Sequence, residues 1–245
     1  MLAAASLCHA QPGPQFRVLM FAGHDYWHNP TIPNAVYAFE ALAEEHNFAF
    51  QWTQDQAFFS HRSVKPFDVL VFLHSHAEDF SDEDKAKLQA FVRDGGAVVG
   101  IHAVIGGGEW PWFDKLVGRR FKFHPVQQTA VVNVADPAHS STLHLPNEFL
   151  WTDEYYVFGE PLADDLHLIL RVDNSTYDSK GDQEDPTALT GGAYLPLSWC
   201  HEYDGGRAFY TALGHRPALY KDRAFRDHIF GGICWALDIA QKESD

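Results

Sequence analysis

Cysteine is scarce in this chain, with only Cys8, Cys200 and Cys234 among 245 residues. An odd, sparse set speaks against a disulfide framework. No Cys-x-x-Cys pair occurs, which speaks against a structural zinc knuckle. Basic residues are also few: 18 Lys plus Arg stand against 33 Asp plus Glu, a net charge of −15. Such a chain repels nucleic acid and anionic membrane surfaces, and neutral ligands suit it better than polyanions. No apolar run reaches the roughly 20 residues of a membrane span. His-Glu-x-x-His is missing, as are Gly-Lys-Ser/Thr and Gly-x-Gly-x-x-Gly after a strand, so no nucleotide cofactor is expected.

Histidine, by contrast, is plentiful, with 15 in the chain. Many follow runs that read as buried strands. FRVLMFA (16–22) leads to His24 and His28, and DVLVFL (68–73) to His74 and His76. AVVGI (97–101) leads to His102, and RAFYTALG (207–214) to His215. Ligands of open α/β sheets bind beyond the carboxyl ends of the strands. Imidazole there serves proton transfer near neutral pH or metal binding.

The first hundred residues alternate strand and helix. FRVLMFA, FAFQWT (48–53), DVLVFL and AVVGI are the strands. Pro30 and Pro33 open a helix over Ala35–Glu45, with Thr31 as a possible cap. Ser81 caps a second helix, with Asp84 as an acidic capping-box partner, and Gly95-Gly96 ends it after Arg93. Continuous apolar strands between amphipathic helices predict a parallel sheet covered on both faces. A short helix follows the Gly run at 106–108, and strands are expected at TAVVNVA (129–135) and HLILRV (167–172). Residues 136–166 read as a lid or edge excursion, and 173–192 as a long mobile loop. A hairpin turns at Asp204-Gly205-Gly206, and a last helix spans about Asp222–Ala240. Residues 1–15 read as a disordered tail or a signal-peptide remnant cleaved after Ala10, and 16–241 as one domain. The signal reading implies a periplasmic or secreted protein, the tail reading a cytoplasmic one.

Several constellations carry chemistry. VVGIHA places His102 where a nucleophile elbow would hold Ser or Cys, which suits a general base, a metal ligand or a hydrogen-bond donor. Of His24 and His28, the second is the one expected to enter the pocket. His74-Ser75-His76 shares a face at i and i+2, yet reads more simply as a solvated loop. His124 sits before Pro125, with Gln127 and Gln128 nearby to hydrogen-bond hydroxyls. Asp153 and Glu154 lie between aromatics, where a carboxylate has a raised pKa or is simply a surface acid. Cys200 and His201 are adjacent, so on a strand they cannot form a dyad, while Trp199 and His201 share a face.

Taken in order, the His28 loop, DVLVFL, GGAVVGIHA, EWPWFDKLVGRRFKFHP, DEYY, LPLSWCHEYDGGRAFYTALGH and FRDHIFGGICWAL resemble the ThuA-like (trehalose utilisation) family over roughly 16–240. The resemblance implies a flavodoxin-like three-layer α/β sandwich with a mainly parallel sheet, similar to class I glutamine amidotransferases but without their cysteine. It links the chain to sugar catabolism through 3-keto-glycosides. Carried over by position, the pocket would hold His28, His102, His124, Glu154, His201 and His215, with Trp110 and Trp199 as sugar platforms. The chain departs from the family at Asn29 and in the Val-Ile-Gly-Gly-Gly run after Ala103, where relatives often carry an acid.

The expected function is a carbohydrate-processing enzyme that isomerises, eliminates or hydrolyses a glycoside or 3-keto-glycoside. His102 or Glu154 would be the base, and His124 and His215 would steady the enediolate, directly or through a divalent metal such as zinc on His102, His124 and His215. His28, Trp110, Trp199, His201 and Gln127 would bind substrate. A non-catalytic sugar-binding module and a metal-dependent hydrolase of another small substrate stand as alternatives. A small carbohydrate is the expected ligand, without nucleic acid or membrane, and a homodimer is left open.

Overall fold

A computed structural model describes residues 13–24, 26–180 and 192–239. The early elements follow the hydrophobic pattern. They are β1 (Arg17–Ala22), α1 (Ile32–His46), β2 (Ala49–Thr53), β3 (Val69–Leu73), α3 (Asp82–Arg93) and β4 (Ala97–Ile101). A short α2 (Phe58–His61) between β2 and β3 was not expected from the pattern. Every residue of β3 and β4 is buried, as continuous apolar runs in a covered parallel sheet require. The Ser81–Asp84 capping box forms and starts α3 as expected. Thr31 behaves differently: its hydroxyl makes no cap bond and instead donates to the His215 carbonyl oxygen at 2.7 Å.

The second half contains α4 (Pro111–Val117), β5 (Arg119–Phe123), β6 (Gln128–Val134), β7 (Glu148–Asp153) and β8 (Val157–Pro161). It continues with β9 (His167–Asp173), β10 (Tyr194–Tyr203), β11 (Gly206–Thr211) and α5 (Arg223–Ala236). The nine-stranded sheet runs β2-β1-β3-β4-β11-β10-β9-β6-β7, and β5 and β8 form a separate ribbon. β2, β1, β3, β4 and β11 are parallel, whereas β10, β9, β6 and β7 pair antiparallel. The fold is therefore α/β with a mixed sheet, and its antiparallel half departs from the expected mainly parallel one. The β10–β11 hairpin reverses the chain there, and Asp204 and Gly205 supply its left-handed turn.

Within residues 136–166, β7 is the edge strand of the sheet and β8 pairs with β5 in the ribbon. Within them, Ser140 Oγ donates to the Gly231 carbonyl oxygen at 2.7 Å and fixes the segment against α5. Of the loop expected at 173–192, residues 181–191 lie outside the described residues, as does the N-terminal segment up to residue 12. The last helix ends at Ala236, and Ala240 also lies outside them. No helix among the described residues is long and apolar enough to cross a membrane.

The parallel half positions the site. β1 has β2 on one side and β3 on the other, so the connections diverge between β1 and β3. Such a switch point opens a crevice beyond the carboxyl ends of the strands. Gly23 makes the approach possible there: a Cβ would lie 1.9 Å from the His74 carbonyl oxygen. That contact lets the loop after β1 cross directly onto the end of β3.

Candidate active site

Four strand ends deliver imidazoles to one place. Leu73 and Ile101 are in register on β3 and β4, so His74 and His102 leave the sheet side by side. Both adopt left-handed backbone, with φ of 50° and 57°. For non-glycine residues that conformation costs on the order of 1 kcal/mol or more and persists only where neighbours hold it. At His102 the hold is explicit. Its N–H donates to the Thr211 carbonyl at 2.8 Å, and its own carbonyl accepts from the Tyr210 hydroxyl at 2.6 Å.

The His102 ring is fully buried, and its Nδ1 lies 2.7 Å from the Ala212 carbonyl oxygen. A carbonyl only accepts, so Nδ1 carries a proton in either state of the ring. Nε2 lies 3.0 Å from the Tyr156 hydroxyl and 3.4 Å from Glu154 Oε2: in the neutral ring it accepts from the hydroxyl, and in the imidazolium it donates to the carboxylate. Glu154 Oε2 is also 3.4 Å from His215 Nδ1, and Oε1 is 3.1 Å from His124 Nδ1. One carboxylate thus touches three imidazoles. His28 stacks on His74 at 4.5 Å and meets His102 and His215 edge-on at 5.1 and 5.4 Å.

The two neighbouring acids behave oppositely. Burial pushes the Glu154 carboxyl up, but the hydrogen bond from His102 and the charges of His102, His215 and His124 outweigh it, leaving its pKa below the usual value. The raised pKa expected of a carboxylate here belongs to Asp153 instead. Asp153 is completely buried, and burial raises it to about 6. Its oxygens accept the backbone N–H groups of Gly214 at 2.7 Å, Glu154 at 3.0 Å and His215 at 3.2 Å. Asp153 therefore holds the His215 turn in place. Gly214 fits that turn because its φ is +123°, and a Cβ would meet the Tyr220 hydroxyl at 2.9 Å.

His28, His102, Glu154 and His215 each offer one ligand atom, and these atoms lie within 4.8 Å of one another. The set differs from the expected trio, because His124 reaches the group only through Glu154. Three imidazoles and a carboxylate suit zinc or another first-row transition metal. The Ala212 carbonyl on His102 Nδ1 is the kind of partner that orients a metal-binding imidazole. Tyr156 competes for the same Nε2 lone pair.

The expected sugar-binding residues are mostly elsewhere. Trp110 is buried at the start of α4, stacked on Phe113 with centroids 4.8 Å apart. Trp199 is buried on β10, its indole N–H donating to the Val117 carbonyl at 2.6 Å. His201 is buried on the same strand face, and its Nε2 donates to the Leu116 carbonyl at 2.9 Å. It pairs with Ala208, opposite Val98, three residues short of Ile101, and so stands about 10 Å from the strand ends. Neither Trp ring offers a platform, and His201 is not part of the cluster. Gln127 is exposed on the turn before β6. Cys200 is buried, as expected of a core residue, and its thiol is pushed up to about 12 by burial.

His74 joins the cluster rather than lying in a solvated loop, and Asp153 is a buried acid rather than a surface one. His74 is 1% exposed, neither ring nitrogen has a hydrogen-bond partner, and burial followed by the neighbouring His102, His28 and His215 holds it neutral. Its signal in the sequence was the same as that of His102, a histidine directly after five buried strand residues. Tyr156 carried no such signal, because only the tertiary contact brings its hydroxyl to His102.

The sequence model of the ThuA family, described as trehalose utilisation, matches residues 17–236. Among solved structures, a ThuA-like protein from Bacteroides uniformis superposes with TM-score 0.77 at 20% identity, covering 94% of both chains. One from Parabacteroides merdae gives TM-score 0.70 at 19% identity, covering 94% of this chain and 92% of that one. The β-galactosidase from Rahnella sp. R3 gives TM-score 0.57 at 12% identity, covering 94% of this chain and 32% of that one. No curated protein matches the chain.

Proposed function

Because this chain belongs to the trehalose utilisation (ThuA) family, we propose that it is a carbohydrate-processing enzyme that acts on a 3-keto-glycoside through the Glu154-centred histidine cluster. The fold reading that accompanies this is a flavodoxin-like three-layer sandwich, like class I glutamine amidotransferases, formed by residues 16–241 as one domain. The observation that carries the functional reading is one ionised carboxylate within 3.4 Å of His102 and His215 and 3.1 Å of His124.

A ketone at the third sugar carbon acidifies the adjacent C–H bond. Glu154 takes that proton, and the electron pair moves onto the ketone oxygen. Imidazole N–H groups of His124 and His215 donate to the enediolate oxygen. In isomerisation the hydroxyl proton on the deprotonated carbon passes to the former ketone oxygen, and protonated Glu154 delivers its proton to the former ketone carbon; in elimination the glycosidic C–O bond breaks, and the leaving oxygen takes the proton from Glu154. A two-carboxylate hydrolysis lacks its second acid in this cluster, since Asp153 spends both oxygens on backbone N–H groups. Tyr26 and Trp27, 84% and 75% exposed beside His28, are the rings available to a sugar face in place of Trp110 and Trp199.

A second reading is a metal-dependent hydrolase of another small substrate, favoured by the donor set of His28, His102, Glu154 and His215. A bound divalent metal would supply Lewis-acid polarisation of a substrate oxygen.

The test is incubation with 3-keto-trehalose in deuterated water, followed by proton NMR. Loss of the signal beside the ketone, abolished in Glu154→Gln, supports the proposal. A wild-type protein that neither exchanges that proton nor turns the sugar over refutes it.

A further inference from the structure

A second cleft, of about 350 Å³, lies between the β5–β8 ribbon and the antiparallel half of the sheet. Two arginines line it, Arg119 from the ribbon and Arg171 from β9, together with Phe158, Glu160, Tyr194 and Trp199. In a chain with a net charge of −15 the arrangement is unexpected. Neither arginine makes an ion pair among the described residues. Arg171 Cζ lies over the Tyr194 ring, 4.1 Å from its centroid, and the Arg171 Nε is buried without a hydrogen-bond partner. Arg119 sits over Trp199 at 5.7 Å and spends Nη1 on the Gly159 carbonyl oxygen at 3.0 Å. Burial draws its pKa below the usual value, and the charge of Glu160 offsets this only in part.

A guanidinium held over a ring, with an N–H that has no partner, retains donors for a carboxylate, which it can grip with two parallel bonds. Among the described lining residues, two guanidiniums and one carboxylate give one positive charge in excess. The walls of Phe158, Tyr194 and Leu195 are apolar. We infer that this cleft binds a small monoanion, a carboxylate carried on an apolar or ring-shaped body. The inference does not depend on the carbohydrate reading, because none of the Glu154-centred residues lines this cleft.

Calorimetric titration of the full chain with benzoate, and with benzyl alcohol as the neutral match, tests it. Saturable benzoate binding is expected, with benzyl alcohol far weaker. Arg171→Gln is expected to weaken benzoate roughly tenfold or more. Glu160→Gln, which removes the opposing charge of the wall, is expected to tighten it. Glu154→Gln is expected to leave it unchanged, which separates this cleft from the first site. Equal affinity for the two probes, unaltered binding by Arg171→Gln, or no saturation by benzoate would overturn the proposal.

Discussion

His228, His139 and His201, packed against α5 and α4, are as buried as His74 and His102 at the strand ends, yet the two sets are bonded in different ways. His228 donates from Nδ1 to the Ser141 carbonyl at 3.0 Å and meets the Thr211 hydroxyl through Nε2 at 3.3 Å. His139 accepts the Ser141 backbone N–H on Nδ1 and turns Nε2 to Cys200 Sγ at 3.7 Å. His201 is tied to α4 through the Leu116 carbonyl. Every hydrogen bond that these rings make goes to the scaffold, and only His201 Nδ1 is left without one. At the strand ends, His102, His124 and His215 direct nitrogens at Glu154 instead, while His74 meets the other rings without any hydrogen bond. Burial alone therefore does not separate structural from chemical histidines; the partner of each nitrogen does.

The largest expected effect breaks the comparison at its centre. Glu154→Gln should lower turnover of the keto-sugar by roughly 10²–10⁴-fold, the range of one general base, with the melting temperature shifted by only a few degrees. Unchanged turnover in single-turnover kinetics would show that the carboxylate is scaffold like the rest.

Titration should divide the two groups by sign. Burial holds folded His228 at about 3 against the ordinary 6.5, so the unfolded chain binds the extra proton. Stability should fall as pH drops from about 6.5 to about 3, by on the order of 5 kcal/mol in all. Asp153 runs the other way. Its folded pKa of about 6 exceeds the ordinary 3.8, so the folded chain binds the proton more tightly. Its contribution is fully present below about pH 4 and is lost as pH rises to about 6, roughly 3 kcal/mol in all. Urea unfolding across pH 4–7 should show a shallower acid loss in His228→Gln, and in Asp153→Asn the removal of the opposing slope. Identical pH profiles in both variants and wild type would contradict these assignments.

A smaller effect sharpens the contrast at His201, which shares neither partners nor place with the cluster. His201→Ala should cost about 1–3 kcal/mol by leaving the Leu116 carbonyl buried and unpaired, with kcat/KM per folded molecule unchanged. A selective loss of kcat would return His201 to the site. The smallest effect concerns Tyr156. Its hydroxyl and a metal compete for the Nε2 lone pair of His102, so Tyr156→Phe should raise zinc affinity by about fivefold, the worth of one neutral hydrogen bond. Weaker zinc binding in competition with a chromophoric chelator would mean that Tyr156 supports the metal rather than opposes it.

Much of the parallel half was legible before any coordinates, because its strands are uninterrupted apolar runs and its helices carry local start and stop signals such as Ser81–Asp84 and Gly95. The short α2 and the β5–β8 ribbon were not, since elements of four or five residues offer too few positions to establish a period. Within the site, His28, His102, His124, Glu154 and His215 are brought together, whereas Trp110, Trp199 and His201 are drawn into packing.

The sequence by itself determined the family, the parallel strands and the placing of histidines directly after them, because these follow from runs of apolar residues a few positions long. Tertiary structure alone decided which polar groups meet. Tyr156 reaches His102 across 54 positions of chain, and the Asp153 carboxylate binds the Gly214 amide across 61. The same long-range register sets His201 on an antiparallel strand some three residues below the strand ends, where its Nε2–H donates to the Leu116 carbonyl of α4.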